Sequence, residues 1–354
     1  MDFALGETQQ AVAQAAAHVL DRSQLREPWD EALWKELGQA GLLGLALPAW
    51  LGGDGLGVLD AAVLLTEVGR RAAPVPALAT LAMGVLPVAR SGDRDLQRVL
   101  LDGVAAGDTI LTAAVREPSD PMPPAPATTA GNTVSGVKVG VPYGAAARWI
   151  LVPASFTWGA GVAVVDPSAG GVTRIPGPAN ECTLRLDRAP VAHLLGDGRA
   201  VADLYQLTLA GAAALADGAL AGALALTTAH VGAREQFGRP LAAFQAVAQQ
   251  IADVYIVSRA LHLAALSACW RLETGREAGG DLDVAAYWLA EQAPGALRAC
   301  HHLHGGTGVD ITYPLHRYSA LVKDLVRLVG GADYRLDRLG ARVGDPGRPP
   351  CSAT

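Results

Sequence analysis

Apolar residues recur at helical spacing in three blocks near the start of the chain: Gln9–Leu20, a second opening at Glu31–Leu37, and a third over Leu59–Arg71. Pro48 and the run Leu51-Gly52-Gly53-Asp54-Gly55 break the chain between them. From about Thr109 the period shortens. Ile110–Val115, Thr133–Val137, Trp149–Val152 and Gly161–Val165 are short β-rich runs between Gly, Pro and Asn turns, and they predict a small antiparallel sheet domain reaching about Leu195. Pro118–Pro126 predicts an irregular loop within it. From about Arg199 the helical period returns in four long segments, Val201–Gln236, Pro240–Gly275, Asp281–Leu303 and Pro314–Arg327, which suit an antiparallel four-helix bundle. The expected fold is mainly α with a small β domain: residues 1–107 helical, 108–197 a central antiparallel β domain, 198–340 a C-terminal four-helix bundle, and 341–354 a disordered tail rich in Pro and Gly.

Composition narrows the class. Hydrophobic residues make up 51% of the 354 positions and charged residues 18%, which suits a compact globular chain with large cores. Ala and Gly abound while Phe occurs only 4 times, favouring closely packed helices. Leu207–Leu226 is the most apolar stretch, yet Thr208 and Asp217 interrupt it short of the roughly 18 apolar residues of a membrane span. It reads as a helix buried between others, in an oligomer that covers the bundle. A formal net charge of -6 with dispersed Lys and Arg argues against a nucleic-acid surface. The start, Met1-Asp2-Phe3-Ala4, shows no basic region followed by an apolar run. Cys182, Cys269, Cys300 and Cys351 lack metal-type spacing, and reduced thiols in a cytoplasmic protein are expected.

Two stretches carry candidate chemistry. Arg234-Glu235-Gln236-Phe237-Gly238-Arg239-Pro240-Leu241 is followed by Phe244-Gln245 and Ile251-Ala252-Asp253. Arg offers an always-charged planar fork for a pyrophosphate, and Phe and Gln can pack and hydrogen-bond along an adenosine. Gly238 and Pro240 mark a bend that would bring Arg234 and Gln245 to one side. Read alone, Arg234 and Glu235 could equally be ordinary surface residues at a helix end. The second stretch is His301-His302-Leu303-His304-Gly305-Gly306-Thr307-Gly308, then Tyr313-Pro314. Glycines there let backbone approach a cofactor closely. Its three histidines invite a metal reading, but no Asp, Glu or Cys stands at ligand spacing among them and a terminating helix points the rings apart, so no metal is expected.

Both stretches, in this order and behind a helical and then a β-rich domain, resemble the acyl-CoA dehydrogenase family. Weaker likenesses extend the match to about Gly340: Trp34-Lys35-Glu36-Leu37, Gly41-Leu42, Glu67-Val68-Gly69-Arg70 and Gly136-Val137-Lys138. The resemblance implies FAD as cofactor, an acyl-CoA as substrate, and FAD contacts from Arg234, Gln236, Phe237, Leu241, Phe244, Gln245, His302, Gly305 and Gly306. In the family the first segment reaches the ADP half of the FAD on a neighbouring subunit, and His302 stands where a Gln or Glu is usual.

The pattern breaks where the family binds the flavin ring. Its Thr-Glu-Pro segment becomes Arg116-Glu117-Pro118-Ser119-Asp120, and its Lys-x-Trp-x-Thr segment becomes Lys138-Val139-Gly140-Val141-Pro142. Gly140 removes an aromatic wall and Pro142 a hydroxyl donor. The catalytic Glu, which takes the α proton of the thioester, is missing from both places where the family keeps it. One place holds Val329, the other Tyr205 or a near neighbour. No catalytic residue is therefore expected. What remains would serve a neighbour's FAD, which implies a homologous partner subunit and a two-plus-two heterotetramer, resembling actinobacterial dehydrogenases of steroid side chains. The alternatives are a homomeric enzyme with a relocated acid, Asp203 or Asp310, and a non-catalytic binding or scaffold relative. In the blander view those two acids cap a helix and turn a loop. The motifs name no electron acceptor.

Overall fold

The structure, a computed structural model, describes residues 4–343; of the tail expected to be disordered, residues 341–343 are helical instead, and 344–354, Cys351 among them, lie outside the described residues. The N-terminal part contains α1 (Glu7–Arg22), α2 (Glu31–Gln39) and α3 (Val58–Arg70). A π-helical segment, Leu78–Val85, then runs directly into α4 (Leu86–Ser91), and α5 (Arg94–Leu101) follows. Asp30 caps α2 by accepting from the Leu33 N–H at 3.0 Å, and Asp93 caps α5 from Leu96 N–H at 2.8 Å. The sequence pattern missed the helical stretch from Leu78 to Ser91 because it is apolar nearly all round and shows no amphipathic period.

The central sheet holds β1 (Leu111–Ala113), β2 (Thr129–Ala130), β3 (Thr133–Pro142), β4 (Trp149–Phe156), β5 (Gly159–Val165), β6 (Val172–Pro176), β7 (Glu181–Pro190) and β8 (His193–Gly196). Its order is β6-β7-β3-β2-β4-β5-β8, with β1 beside β4. The expectation of an antiparallel sheet holds for most pairs. It fails at β1 and β2, which both run parallel to β4, with Leu111 opposite Trp149 and Thr129 opposite Ser155. β4 is buried on both faces: Ile150, Val152 and Ala154 belong to a core inside the β domain, and Leu151 to the helical core.

The bundle consists of α6 (Gly198–Ala233), α7 (Gln245–Glu273), α8 (Gly279–His304) and α9 (Leu315–Val329). Between α6 and α7 lies a small hairpin of β9 (Glu235–Gln236) and β10 (Arg239–Pro240), and after α9 comes α10 (Ala332–Val343), a further helix beyond the four expected. The helix expected to run to Gln236 ends at Ala233, and the one expected from Pro240 starts at Gln245, because Pro240 lacks an N–H to donate and Gly238 takes a left-handed turn. Asp197, not Asp203, caps α6, accepting from Arg199 N–H at 2.9 Å. Asp203 instead pairs with Arg90 at 3.2 Å.

The stretch Leu207–Leu226 is indeed packed between helices. Glycines let it meet α3 backbone to backbone: a Cβ on Gly218 would collide with the Thr66 carbonyl, and one on Gly69 with the Leu215 carbonyl. Leu207–Leu220 is buried within one chain, while Leu224 and Leu226 are half-buried and Ala225 is exposed. The uncovered apolar face belongs to α7, where Tyr255, Ile256 and Leu263 are exposed on one stripe. Both α6 and α7 are long and apolar enough to cross a membrane by length and composition alone, and α6 spends that character on the protein core.

Candidate functional site

The Arg234 segment is exposed and built for presentation. Arg234 ends α6 in an extended conformation, and its carbonyl accepts from Leu241 N–H at 2.8 Å, which closes the hairpin. Phe237 and Gly238 form the two-residue turn with φ of 54° and 77°, the left-handed pair that a tight hairpin needs. Gly238 adopts this freely; for Phe237 it costs about 1–2 kcal/mol. The strained ring stands 91% exposed, 6.1 Å from and edge-on to Phe244, and Arg239 lies 4.0 Å over Phe244. The Arg234 and Gln245 side chains are exposed and make no hydrogen bond or ion pair among the described residues; the Gln236 side chain bonds only to the Glu235 carbonyl, and Leu241 is half-buried. α7 starts here with no side-chain cap, so its first N–H groups face the same surface. Such a helix N-terminus favours an anion.

The second stretch reaches the same end of the bundle. His230, in the last turn of α6, stacks on His304 of α8 at 4.4 Å, tying the two helix ends together. His304 donates Nδ1–H to the Cys300 carbonyl at 2.8 Å, so its Nε2 accepts from the Tyr313 hydroxyl at 3.1 Å. His301 likewise donates Nδ1–H to the Gly308 carbonyl and accepts from Ser319. Burial pushes both His230 and His304 below the ordinary imidazole range, with Arg234 adding to it at His230. These rings tie the helix ends to the following loop, and among the described residues no three metal-binding groups come together. His302 is exposed, and a Cβ on Gly305 or Gly306 would meet nothing within 4 Å. Sequence reasoning passed over His230 and Arg239, and over Val309 and Ile311, which are 80% and 76% exposed beside the glycines. Exposed apolar residues flanking Gly-Gly were the available signal.

The ring-side positions look different. Arg116 lies across Gly140, where a Cβ would sit 2.6 Å from Nη1 and 3.3 Å from Glu181 Oε2. Glu117 and Lys138, both buried, pair at 2.8 Å, and Glu117 also accepts from Thr128 N–H, Thr128 Oγ1 and Ala127 N–H. Burial alone would raise the Glu117 carboxyl, but the Lys138 and Thr128 bonds outweigh it and hold it below the usual range. The Pro-rich loop that follows folds onto the two places where a base was sought. The Tyr205 hydroxyl donates to the Pro123 carbonyl at 3.0 Å, and that of Tyr334 to Asp120 at 3.2 Å. Pro121 rests on Gly330, leaving no room for a Cβ there. Val329 is fully buried, and its carbonyl accepts from Arg335 Nε at 2.6 Å. Arg335, invisible to the sequence reading because it lies beyond the last expected helix, is itself buried between Asp283 and Met122. Asp203 is held by Arg90, and exposed Asp310 accepts from Thr312 N–H and Oγ1 in a loop turn, so neither stands as a free base.

The model of the acyl-CoA dehydrogenase N-terminal domain matches residues 6–108, and that of the C-terminal domain matches residues 206–343. The chain belongs to the acyl-CoA dehydrogenase family. Members of this family are oxidoreductases acting on the CH–CH bond of acyl-CoA. The acyl-CoA dehydrogenase FadE28 of Mycobacterium tuberculosis is 46% identical over 97% of this chain and 99% of its own length. Among solved structures, a Tcur3481–Tcur3483 steroid acyl-CoA dehydrogenase is 36% identical with a TM-score of 0.89, covering 97% of this chain and 99% of that one. The ChsE4–ChsE5 complex of Mycobacterium tuberculosis is 31% identical with a TM-score of 0.90, covering 98% of this chain and 100% of that one. For this acyl-CoA dehydrogenase the test of fit to FAD divides in two. At the hairpin and glycine end, open backbone and unpartnered polar groups suit the ADP half. At the ring side, Arg116 lies across Gly140, Pro121 rests on Gly330, and the hydroxyl-donor position is Pro142, so the donors a flavin ring needs are missing there.

Proposed function

We propose that this chain is the base-lacking subunit of a heteromeric FAD-dependent acyl-CoA dehydrogenase. In this reading it joins a homologous subunit in a cytoplasmic two-plus-two heterotetramer and closes the ADP side of that partner's FAD. The contrast within one chain carries the reading: the ADP-side groups are exposed and unpaired, while the ring side is filled by its own residues. FAD, when bound, supplies the acceptor for the hydride lost from the β carbon of the thioester. Arg234 would hold the pyrophosphate with the N-terminus of α7 beside it. Phe237, Phe244, Gln236, Leu241 and Gln245 would line the adenosine, and Gly305, Gly306 and His302 would border it from α8. The likeness to the Tcur3481–Tcur3483 steroid acyl-CoA dehydrogenase supports a bulky, steroid-type acyl-CoA as the substrate class.

Co-expression with a homologous subunit that carries the catalytic Glu tests this. The expected complex contains one flavin for each pair of unlike subunits, and no flavin stays with this chain alone. A yellow, active homomer of this chain would overturn the proposal.

A further inference from the structure

The two segments assigned to the ADP half of FAD leave from different helices, and a ring contact joins them. Arg234 follows α6, and its N–H donates to the His230 carbonyl at 2.8 Å, so the hairpin hangs from the turn that carries His230. Gly305 and Gly306 follow α8, directly after His304. The His230 and His304 rings stack with centroids 4.4 Å apart and planes 23° from parallel. Among the described residues no hydrogen bond links residues 230–245 to residues 301–313, so the stack is the tie between the two segments.

The two rings differ in how they are held. His304 is buried and fixed at both nitrogens, by the Cys300 carbonyl and the Tyr313 hydroxyl, with the Tyr313 ring 5.1 Å away. The glycine turn wraps against it: a Cβ on Gly308 would lie 2.9 Å from His304 Cβ and 3.0 Å from the His301 carbonyl. His301 bridges the Gly308 carbonyl at 2.9 Å and Ser319 of α9 at 2.7 Å, which pins the far end of the same turn. His230 is half-buried, and its ring makes no hydrogen bond among the described residues. Stacking is what its side chain does. Burial disfavours a cation on either ring, which suits face-to-face packing.

We propose that His230 is a positioning residue for the cofactor contacts: its stack on His304 sets the spacing between the Arg234 hairpin and the Gly305–Gly306 turn, so that one ADP moiety meets both. This role rests on the cofactor-sharing function proposed above. Groups that close on one ligand from two elements must be held to within about 0.5 Å. A short exposed hairpin does not keep such a register by itself. His230 acts through the ring it packs on and needs no contact with the ADP. A flat ring, rather than a basic one, is what the role asks of this position.

The test uses the assembled complex with its partner subunit, stripped of FAD and titrated with FAD by flavin fluorescence. His230→Ala should weaken FAD about tenfold, and His230→Phe should restore it to within about threefold of the native affinity. Subunit stoichiometry should be unchanged in both. Native affinity in His230→Ala, or equal losses in the Ala and Phe variants, would overturn the role. Should His230→Ala fail to assemble, Tyr313→Phe decides, because it frees the His304 ring while leaving His230 in place. A loss of about threefold or more is then expected, and no loss rejects the proposal. Arg234→Ala, titrated beside these, separates the two claims. If it weakens FAD while His230→Ala does not, the positioning role alone falls; if neither weakens FAD, cofactor sharing falls with it.

Discussion

The two ends of the cofactor region treat polar groups in opposite ways. At the hairpin, Arg234 and Gln245 stand in solvent without partners, Phe237 is strained outward, and α7 begins uncapped. At the ring side Glu117 is held by Lys138, Tyr205 by Pro123, and Arg335 by Val329 and Asp283, while the buried Arg116 Nε has no hydrogen-bond partner. A monomer has no use for the first arrangement, since unpaired charge and left-handed Phe give it no stability. It gains from the second, where each bond closes a gap in its own interior. The difference separates groups kept for another molecule from groups returned to the fold.

The contrast can be broken most severely at its buried ion pair. Lys138→Met leaves Glu117 charged and uncompensated, and should cost about 3–5 kcal/mol by urea denaturation of the complex. The linked pH effect follows from Glu117 being held below its ordinary range. Its stabilisation is present at neutral pH and is lost as pH falls through the usual carboxylate range toward the lower folded value, and Glu117→Gln should flatten that acid limb. Next in size is Arg234→Ala. Losing a charge-assisted bond of about 1.5–3 kcal/mol should weaken FAD retention about ten- to a hundredfold in a fluorescence titration of the apo complex. Folding should be untouched because the side chain is exposed. Unchanged FAD affinity would remove the main support for cofactor sharing. The smallest effect belongs to Tyr205→Phe, which deletes one hydrogen bond and should cost about 0.5–1.5 kcal/mol. Turnover and flavin content should stay as they are, and a loss of turnover would restore Tyr205 as a participant in catalysis.

Much of this was legible in the chain because helical period, turn residues and motif order are local signals. The three early helices, the long bundle helices and the Arg234 and Gly305 segments were each found that way. The helical stretch Leu78–Ser91 escaped because burial on all sides erases periodicity. β6 and β8 escaped because they are short and mostly exposed, whereas β7, with Cys182, Leu184 and Leu186 alternating inward, carried a signal that was passed over. The filling of the ring side could not be read at all. It depends on Pro121, Tyr334 and Arg335 meeting residues up to about two hundred positions away, and no spacing rule reports such a meeting. The oligomer argument leaned most on Leu207–Leu226, much of which the chain buries itself, because an apolar sequence says that a surface is covered, not by whom.

The bare stripe on α7 has a consequence for supply. Tyr255, Ile256 and Leu263 face solvent in a lone copy. Exposed apolar surface of this kind seeks contact whether or not the proper mate is at hand. A cell making this polypeptide in excess would therefore hold a pool prone to self-association, and if the proposed partner covers the stripe, matched synthesis of the two subunits would keep that pool small. Dosage, rather than folding of the single chain, becomes the quantity under control.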